Sequence, residues 1–371
     1  MKTILVLGGS FAGIISAHRL LKQQPKGSIK IILVAPNTHA YWIIAAARAM
    51  IAGQIPEEKV FMPIAAGFEK YSASQFEFVL GTAEFLDTDT KNVVVATEGG
   101  NKTINYDIAV LATGSSMKGD LPFKPKGTTD DLKKELKKYQ TLISNANDIV
   151  VGGAGVTGVE TAGELAFEYG SSKTITLISS RPTILEGIVP SNVIKTATKQ
   201  LESLGVILKL NTRIESSSKA KDGREELSFS NGQKVKTDLY LQTVGMVPNT
   251  SYMKPELLGP GGFVSPDEHL RVKNVKDVWA VGDVSDIQRA QILHLDGQTA
   301  HLAKNLGLVL SGKEPVAFNS KVIDILGFQV GREMGTGHVA GWRLPSFLVS
   351  YIKKTLLVEK LPGLVHGTEY P

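Results

Sequence analysis

The sequence contains no cysteine among its 371 residues. This absence excludes disulfide bonds, thiolate zinc sites, iron–sulfur ligation and redox-active thiol pairs, so any redox chemistry must belong to a bound cofactor. Long apolar runs are also missing, because residues 41–53 form the longest one and contain Arg48, whereas a membrane-spanning helix needs about 20 apolar residues. None of the seven histidines forms an H-E-x-x-H pair, so we expect no metal site.

The net charge and the composition exclude further classes of protein. The net charge of +5 is too small to indicate a nucleic acid partner. With 42% hydrophobic and 21% charged residues, the chain has the composition of a soluble globular protein of two or three domains. Strand-like sequence begins at Thr3, directly after Lys2, so we expect no signal or transit peptide, no N-terminal myristoylation and a cytoplasmic location.

The stretch GGSFAG, residues 8–13, follows an apolar strand-like run and can be interpreted in two ways. It resembles G-x-S-x-G, the turn that holds the nucleophilic serine of a hydrolase, which would make Ser10 a reactant. It equally resembles G-x-G-x-x-G, the turn that places a pyrophosphate at a helix N-terminus, which would make Ser10 a spacer. A nucleophile elbow normally follows several strands rather than the first one, which favours the second interpretation.

The same pattern returns later in the chain. A strand at residues 148–151, a glycine turn at 152–158, a helix at 159–169 and a strand at 174–178 repeat the order seen at residues 3–34. A repeated unit is a far more specific signal than a single glycine motif. The sequence therefore predicts two dinucleotide-binding units.

Three further patterns accompany the two units. Residues 107–114 and 238–245 are apolar strands that end in A-T-G and T-V-G, and residues 281–283 end another buried strand in V-G-D. A lysine-rich stretch after residue 118 predicts a linker that leads into a solvated helix.

Together, these five features resemble the flavoproteins related to glutathione reductase, the pyridine nucleotide-disulfide oxidoreductase superfamily. Within it the chain resembles the cysteine-free apoptosis-inducing-factor homologues, including the ferroptosis suppressor proteins, and more distantly the type II NADH dehydrogenases. The resemblance implies an α/β fold with two Rossmann-like domains and a small C-terminal α+β domain. It implies FAD-binding segments at 1–118 and 241–310, an NAD(P)H-binding domain at 119–240, and an interface or membrane-contacting domain at 311–371.

The resemblance also implies a set of cofactor-binding residues. Arg48 resembles an arginine that pairs with the FAD pyrophosphate, although an internal salt bridge is the alternative for a charge in an apolar stretch. Asp283 follows a strand and a glycine, as suits a carboxylate that reaches flavin hydroxyls or phosphate. The expected cofactor-binding residues are Gly8, Gly9, Ser10, Phe11, Ala12, Gly13, Arg48, Thr82, Ala83, Thr113, Gly114, Gly153, Gly155, Gly158, Arg181, Gly245, Gly282 and Asp283.

The first site departs from the family pattern at a second position besides Ser10. Where a carboxylate should hold the FAD ribose, the chain has Ala35-Pro36-Asn37, so Asn37 or Thr38 must substitute or the contact is absent.

The choice of NADH or NADPH depends on the residues after the second strand of the second unit. Ile178 is followed by Ser179-Ser180-Arg181, with no carboxylate to repel a 2′-phosphate and with one arginine to bind it. We therefore expect NADPH to be used at least as well as NADH, unless Arg181 is only a surface loop residue.

Glu160 resembles a glutamate that the family places near the nicotinamide and flavin rings, and Lys353 resembles a lysine that the ferroptosis-suppressor branch places near the flavin. The alternative for Glu160 is a carboxylate that stabilises a helix N-terminus. With no thiol relay, reduced flavin must pass its electrons directly to a second substrate, for which the resemblance implies a quinone. Candidate aromatic residues for the acceptor site are Tyr41, Trp42 and Phe328, whose alternative role is core packing.

Residues 345–360 predict a basic amphipathic helix with an apolar stripe at Phe347, Leu348, Tyr351, Ile352 and Leu356. Such a helix either lies on a membrane surface or packs on its own domain. Two other functions stay open, a flavoprotein that reduces a small protein or metabolite, and a slow-turnover sensor of NAD(P)H.

Overall fold

The structure is a computed structural model that describes residues 1–370. The strands, numbered along the chain, are β1 (Lys2–Leu7), β2 (Ile29–Ala35), β3 (His39–Tyr41), β4 (Phe61–Pro63), β5 (Phe76–Leu80), β6 (Thr82–Asp87), β7 (Asn92–Thr97), β8 (Gly100–Asn105), β9 (Ile108–Leu111), β10 (Ser115–Met117), β11 (Asp148–Gly152), β12 (Thr174–Ile178), β13 (Ile207–Lys209), β14 (Ile214–Lys219), β15 (Glu225–Phe229), β16 (Lys234–Thr237), β17 (Leu239–Gln242), β18 (Met246–Pro248), β19 (Val278–Ala280), β20 (Ile325–Val330), β21 (Met334–Val339) and β22 (Trp342–Arg343).

The α-helices are α1 (Phe11–Gln23), α2 (Ala46–Ala49), α3 (Glu57–Val60), α4 (Thr129–Asn145), α5 (Val156–Tyr169), α6 (Ser191–Ser203), α7 (Ile292–Leu310), α8 (Ser346–Ile352) and α9 (Leu361–His366). Short 3₁₀ turns lie at Ile43–Ala45, Ala65–Phe68, Gly170–Ser172, Pro255–Leu257, Pro260–Gly262 and Val358–Lys360. No helix within the described residues is both long enough and apolar enough to cross a membrane. In that same range, no group of acidic and histidine side chains is placed to hold a metal ion.

The first sheet has the strand order β19-β9-β1-β2-β5, with every pairing parallel. Its strands are apolar on both faces because helices or further strands cover both, and Ile4, Leu5 and Val6 of β1 are fully buried. On one face, α1 packs against α7. The carboxyl ends of β1, β9 and β19 consequently meet at one edge of the sheet, where ligands bind in this architecture.

The second sheet has the order β13-β12-β11-β17 and is also parallel. Each parallel sheet is accompanied by a three-stranded antiparallel meander. The meander β6-β7-β8 lies in the chain before β9 of the first sheet, and β14-β15-β16 lies before β17 of the second sheet. The two parallel sheets with their helices confirm the predicted α/β class with two Rossmann-like units. The segment boundaries inferred from the resemblance stay predictions.

The C-terminal part contains the antiparallel sheet β20-β21-β22 and helices α8 and α9, which is the predicted α+β arrangement. The single helix predicted for residues 345–360 is wrong. Helix α8 ends at Ile352, and Leu356 and Leu357 adopt positive φ angles of 53° and 57°, which break the helix. Leu356 is therefore buried, whereas Phe347 and Tyr351 of the predicted stripe are exposed.

His18 of α1 joins the first sheet's helix layer to the end of the described chain. Its imidazole is buried, stacks on Phe68 with ring centroids 4.1 Å apart, and donates from Nε2 to the carbonyl oxygen of Val365 at 2.7 Å. Burial, which leaves the charged imidazolium poorly solvated, and to a lesser extent the nearby Lys70 lower the pKa of His18 to about 4. The neutral imidazole is the form that the fold accommodates.

This histidine makes the stability of the protein depend on pH. An unfolded histidine has a pKa of about 6.5. Between about pH 6.5 and pH 4 the unfolded chain therefore binds a proton at this position, whereas the folded chain does not. The stabilisation is complete above that window and is lost as pH falls through it, by up to roughly 3 kcal/mol. We expect urea unfolding at pH 7.5 and pH 4.5 to show a smaller pH-dependent loss in His18→Gln than in the wild type. Equal losses in the two proteins would contradict the assignment, because the acid sensitivity of the carboxylates is common to both.

Candidate cofactor-binding sites

The first glycine turn joins β1 to α1 at the carboxyl edge of the first sheet. Gly8 adopts φ +118°, and a Cβ there would lie 2.2 Å from the carbonyl oxygen of Ala112. A Cβ on Gly13 would lie 1.8 Å from the carbonyl oxygen of Gly8. Glycine at both positions brings α1 close to the strand ends and leaves the N–H groups at the helix start open to a phosphate. The turn fits the pyrophosphate of a dinucleotide.

Ser10 is the N-cap residue of α1, with φ −110° and ψ −163°, and its side chain makes no capping hydrogen bond. This extended backbone suits any residue and lacks the strain of a nucleophile elbow. Gly155 is the N-cap of α5, with φ −75° and ψ −173°, and a Cβ on it would meet only Ile188 Cδ1, at 3.9 Å. The middle position of either turn therefore tolerates a side chain, which favours Ser10 as a spacer over Ser10 as a nucleophile.

The residues around Ser10 hold the start of α1 against the sheet. Phe11 and Ala12 are buried, and a Cβ on Gly282 would lie 2.9 Å from the Cβ of Ala12. A Cβ on Gly9 would lie 2.6 Å from that of Ala35 at the end of β2. Ala35, where the family pattern has a ribose carboxylate, thus packs directly on the glycine turn.

Four more expected contacts lie at the same edge, beyond the ends of β9 and β19. They are Thr113, Gly114, Gly282 and Asp283. The Thr113 hydroxyl donates to the carbonyl oxygen of Asn249 at 2.7 Å, and the Gly282 N–H donates to Gln298 Oε1 at 2.7 Å. The structure brings these residues to the glycine turn because parallel strands end at one edge.

Thr82 and Ala83 lie just beyond the end of β5, at the start of β6. The preceding Gly81 donates its N–H to the carbonyl oxygen of Ala35 at 2.9 Å, which places this corner beside the end of β2. Thr82 is exposed and Ala83 is half-buried. Their backbone contact with an adenine stays a prediction.

Asn37 and Thr38, the expected substitutes for the ribose carboxylate, bind protein groups instead. Asn37 Nδ2 donates to the carbonyl oxygen of Gly127 at 2.9 Å. The Thr38 N–H donates to Thr129 Oγ1 at 3.0 Å, and the Thr38 hydroxyl contacts the same oxygen at 3.2 Å. Asn37 therefore fastens the segment before α4, and Thr38 fastens the first residue of that helix.

Arg48 forms the internal salt bridge that was the alternative to a pyrophosphate contact. Its Nη2 lies 2.6 Å from Glu164 Oε1 and 3.0 Å from Gln329 Oε1, and its Nη1 donates to the carbonyl oxygen of Lys354 at 2.9 Å. Both side chains of the ion pair are buried, with 8% and 3% of their surface exposed. Protein groups thus hold most of this guanidinium, and its pairing with a flavin phosphate finds no support in these contacts.

The three aromatic candidates for an acceptor site are core residues. Tyr41, Trp42 and Phe328 are at most 1% exposed. Trp42 Nε1 donates to the carbonyl oxygen of Leu356 at 2.8 Å, which ties the first segment to the C-terminal one. Their positions agree with the packing interpretation.

The second glycine turn repeats the geometry of the first. A Cβ on Gly158 would lie 1.8 Å from the carbonyl oxygen of Gly153, the same separation as between Gly13 and Gly8. A cavity of about 890 Å³ opens at this turn, between the carboxyl ends of β11, β12 and β17. The cavity fits a second dinucleotide at the edge where the second sheet should bind it.

Cations line this cavity. Arg181 and Arg213 both contribute to its wall, together with Lys118 and one carboxylate, Glu215. The main chain of Lys118 is fixed by Gly245, whose carbonyl oxygen accepts from the Lys118 N–H at 2.8 Å. An anionic group is favoured here because the positive side chains outnumber the negative one.

The two candidate catalytic residues meet although 193 positions separate them. Lys353 Nζ lies 3.5 Å from Glu160 Oε1, and the Gln329 N–H lies 3.4 Å from the same oxygen. Both side chains are partly exposed, at 22% and 21%. Helix α5 also carries Glu164 and Glu168. The carboxylates of this helix therefore pair with basic side chains from the first segment of the chain and from its C-terminal part.

Two cationic residues at these sites were missed in the sequence. Arg213 follows β13 and lines the same cavity as Arg181, but no local motif marks a loop after a short strand. Lys124 belongs to the lysine-rich stretch interpreted as a linker that leads into a solvated helix, yet its side chain is only 16% exposed and pairs with Asp283. The one signal in the sequence that this part of the linker is packed is the presence of the apolar residues Leu121, Phe123 and Pro125 around Lys124.

Comparison with known proteins agrees with this geometry. The family model described as pyridine nucleotide-disulphide oxidoreductase matches residues 2–305. Oxidoreductase ptaL of Pestalotiopsis fici is 47% identical over 99% of this chain and 100% of its own length. Ferroptosis suppressor protein 1 of Homo sapiens is 25% identical over 94% of this chain and 92% of its own. The sulfide:quinone oxidoreductase of Aquifex aeolicus superposes with a TM-score of 0.79 at 18% identity, covering 99% of this chain and 92% of that one.

Proposed function

This chain belongs to the pyridine nucleotide-disulphide oxidoreductase family, and from that premise we propose that it oxidises NADPH and reduces a quinone-type acceptor. The coarser statement, an FAD- and NAD(P)H-dependent oxidoreductase, follows from the family itself. The finer proposal concerns the choice of nucleotide and acceptor.

The observation that carries the proposal is the pair of nucleotide-binding turns in a chain without cysteine. A flavin bound at the first glycine turn would supply the hydride and electron transfer of this reaction. Since the chain has no thiol pair, electrons have to leave for a second substrate directly. A quinone suits this direct transfer, and it is also the acceptor named for the bacterial enzyme with the same fold.

The residues of the chain bind and orient the nucleotides and polarise the groups bound beside them. The first glycine turn presents N–H groups to a pyrophosphate, and the second does the same for the nicotinamide nucleotide. The Lys353 ammonium, 3.5 Å from the Glu160 carboxylate, can donate a hydrogen bond or a proton to a group bound beside α5. Glu160 in turn holds this ammonium group in place through the ion pair.

The cation-lined cavity supports NADPH as the preferred nucleotide. Arg181 is exposed and Arg213 shares its cavity, so two guanidinium groups are available for a 2′-phosphate.

Replacing Arg181 or Arg213 with alanine should lower kcat/KM for NADPH by about 10- to 100-fold, the effect of losing one hydrogen bond to a charged group. NADH lacks the 2′-phosphate, so its kcat/KM should change little. The measurement is the NADPH/NADH ratio of kcat/KM in each variant, with Arg224→Ala as the matched control. Arg224 is an arginine of the same unit that pairs with Asp222 outside the cavity. An unchanged ratio in both variants would remove the basis for this preference.

The C-terminal surface supports an acceptor that is delivered from a membrane. Trp342, Phe347 and Tyr351 are 82%, 75% and 78% exposed, and Arg343 and Lys354 lie among them on the surface. Exposed aromatic groups mixed with cations are typical of surfaces that lie on anionic lipid. Tyr351 of this surface is only two residues before Lys353, the lysine of the Glu160–Lys353 pair. We include peripheral membrane contact in the proposal.

The test is anaerobic reduction of the purified yellow protein by NADPH, followed by a panel of acceptors. We expect the flavin absorbance to bleach and then to return when a soluble quinone, or a quinone in anionic vesicles, is added. Return of the absorbance only with a ferredoxin-like protein would redirect the proposal to a protein acceptor. A reduced complex that no acceptor discharges would indicate a sensor, and a colourless protein would overturn the flavin assignment itself.

A further inference from the structure

The linker between the two nucleotide-binding units crosses the edge of the first sheet. Residues 118–128 form this crossing, here termed the strap. The Tyr41 hydroxyl donates to the Pro122 carbonyl oxygen at 3.1 Å in the buried interior, and Asn37 Nδ2 donates to the Gly127 carbonyl oxygen at 2.9 Å. Leu121 and Phe123 are buried. The strap is therefore a packed part of the first site and not a free tether.

The strap carries one inward-facing cation, Lys124. Its ammonium group is hydrogen-bonded to Asp283 Oδ2 and Ser115 Oγ, and it lies 3.6 Å from Met246 Sδ. The Lys124 and Asp283 side chains are only 16% and 23% exposed. A lysine in such a place loses both hydration and rotamer freedom, so its position needs a compensating anion.

A bound pyrophosphate would add a second anion to the edge where Lys124 already pairs with Asp283. Asp283 lies beyond the end of β19, at the edge where the glycine turn opens its N–H groups to a pyrophosphate. Two anionic groups close together repel each other unless a cation lies between them. Arg48, the cation that the family pattern offers, is bound to Glu164.

We propose that Lys124 is a flavin-binding residue, delivered by the strap, whose ammonium pairs with the anionic diphosphate of the flavin while it stays bound to Asp283. The inference depends on the flavin lying at the first glycine turn, as the proposed function has it. It also gives the unusual Ala35-Pro36-Asn37 sequence a role, because Asn37 fastens the strap instead of the ribose.

The test follows flavin release from the holoprotein, by the rise of flavin fluorescence after dilution, at low and high ionic strength. Lys124→Gln should release flavin about 10- to 100-fold faster, the range for loss of one charge-assisted hydrogen bond. Its release rate should also depend less on salt, because one screened charge pair is gone. Lys124→Arg should stay close to the wild type, since it keeps the charge.

The matched control is Lys126→Gln, which removes a lysine of the same strap. Lys126 pairs with Asp120, 2.7 Å away, and both side chains are well exposed at 64% and 66%. It should release flavin at the wild-type rate.

A Lys124→Gln protein with the wild-type rate and salt dependence would overturn the inference. Should that variant not fold, Lys124→Met removes the same charge while keeping the length of the side chain, and wild-type release from it would overturn the inference equally. A wild-type protein that holds no flavin would instead refute the proposed function, so the two failures are distinguishable.

Discussion

Replacing Glu164 with glutamine should lower the free energy of unfolding by about 3 to 5 kcal/mol, the range for removing one partner of a buried ion pair. Glu164 Oε1 lies 2.6 Å from Arg48 Nη2, and the glutamate is also 3.5 Å from Arg332 Nε. Glutamine keeps the size of the side chain but leaves the Arg48 guanidinium buried without its counter-charge. Urea unfolding monitored by circular dichroism measures the difference.

Glu168→Gln is the matched control, because Glu168 lies one helical turn further along α5 and also pairs with Arg332. The Arg332 and Glu168 side chains of this pair are each 26% exposed, so this substitution should cost less than about 1 kcal/mol. The double replacement Arg48→Met with Glu164→Leu should recover most of the loss, since it removes the unpaired charge along with the pair. A Glu164→Gln protein as stable as Glu168→Gln would contradict the role assigned to this ion pair.

Replacing Gly158 with alanine should weaken NADPH binding by roughly 10- to 100-fold, because overpacking costs about 1 to 3 kcal/mol and each 1.4 kcal/mol is a factor of ten in affinity. The new Cβ would lie 1.8 Å from the Gly153 carbonyl oxygen, a backbone atom that can move only with the whole glycine turn. Titration of the protein with NADPH, followed by fluorescence, gives the dissociation constant. The flavin content should stay at the wild-type level, because the first turn is untouched.

Gly155→Ser is the companion variant and places a serine where the first turn has Ser10. The Cβ of that serine would have Ile188 Cδ1 at 3.9 Å, an ordinary contact, so we expect NADPH affinity close to the wild-type value. Equal affinities in Gly158→Ala and Gly155→Ser would show that the turn does not bind the nucleotide in the way its geometry indicates.

The fold was predictable because its signals are local. The apolar runs of β1 and β11 lead into a glycine turn and a helix, and those of β2 and β12 follow that helix, so each unit is specified within about 30 residues. The repeat then fixes two parallel sheets. The helix at 345–360 was predicted wrongly because its apolar spacing continues past Ile352, while the positive φ of Leu356 and Leu357 is set by packing that brings Leu356 into the core.

The site was predictable only in part, because partners come from distant segments. The sequence indicated that Arg48 needs an anion, but not that Glu164, which lies in the second unit, supplies it. It indicated a basic linker, but not that Lys124 turns inward to Asp283. The resemblance placed Glu160 and Lys353 each near the flavin, but their contact was not predicted, since their separation along the chain leaves no local pattern that could indicate it.

The two three-stranded meanders occupy equivalent places in the two halves of the chain. Each is inserted immediately before a strand that borders the first strand of its parallel sheet, and each follows a glycine turn whose first and last glycines are packed at the same separation. The two halves therefore share one structural plan that includes the accessory sheet. The two halves differ in what is added to this plan. The first half has the strap with Lys124, and the second half has the two arginines, Arg181 and Arg213.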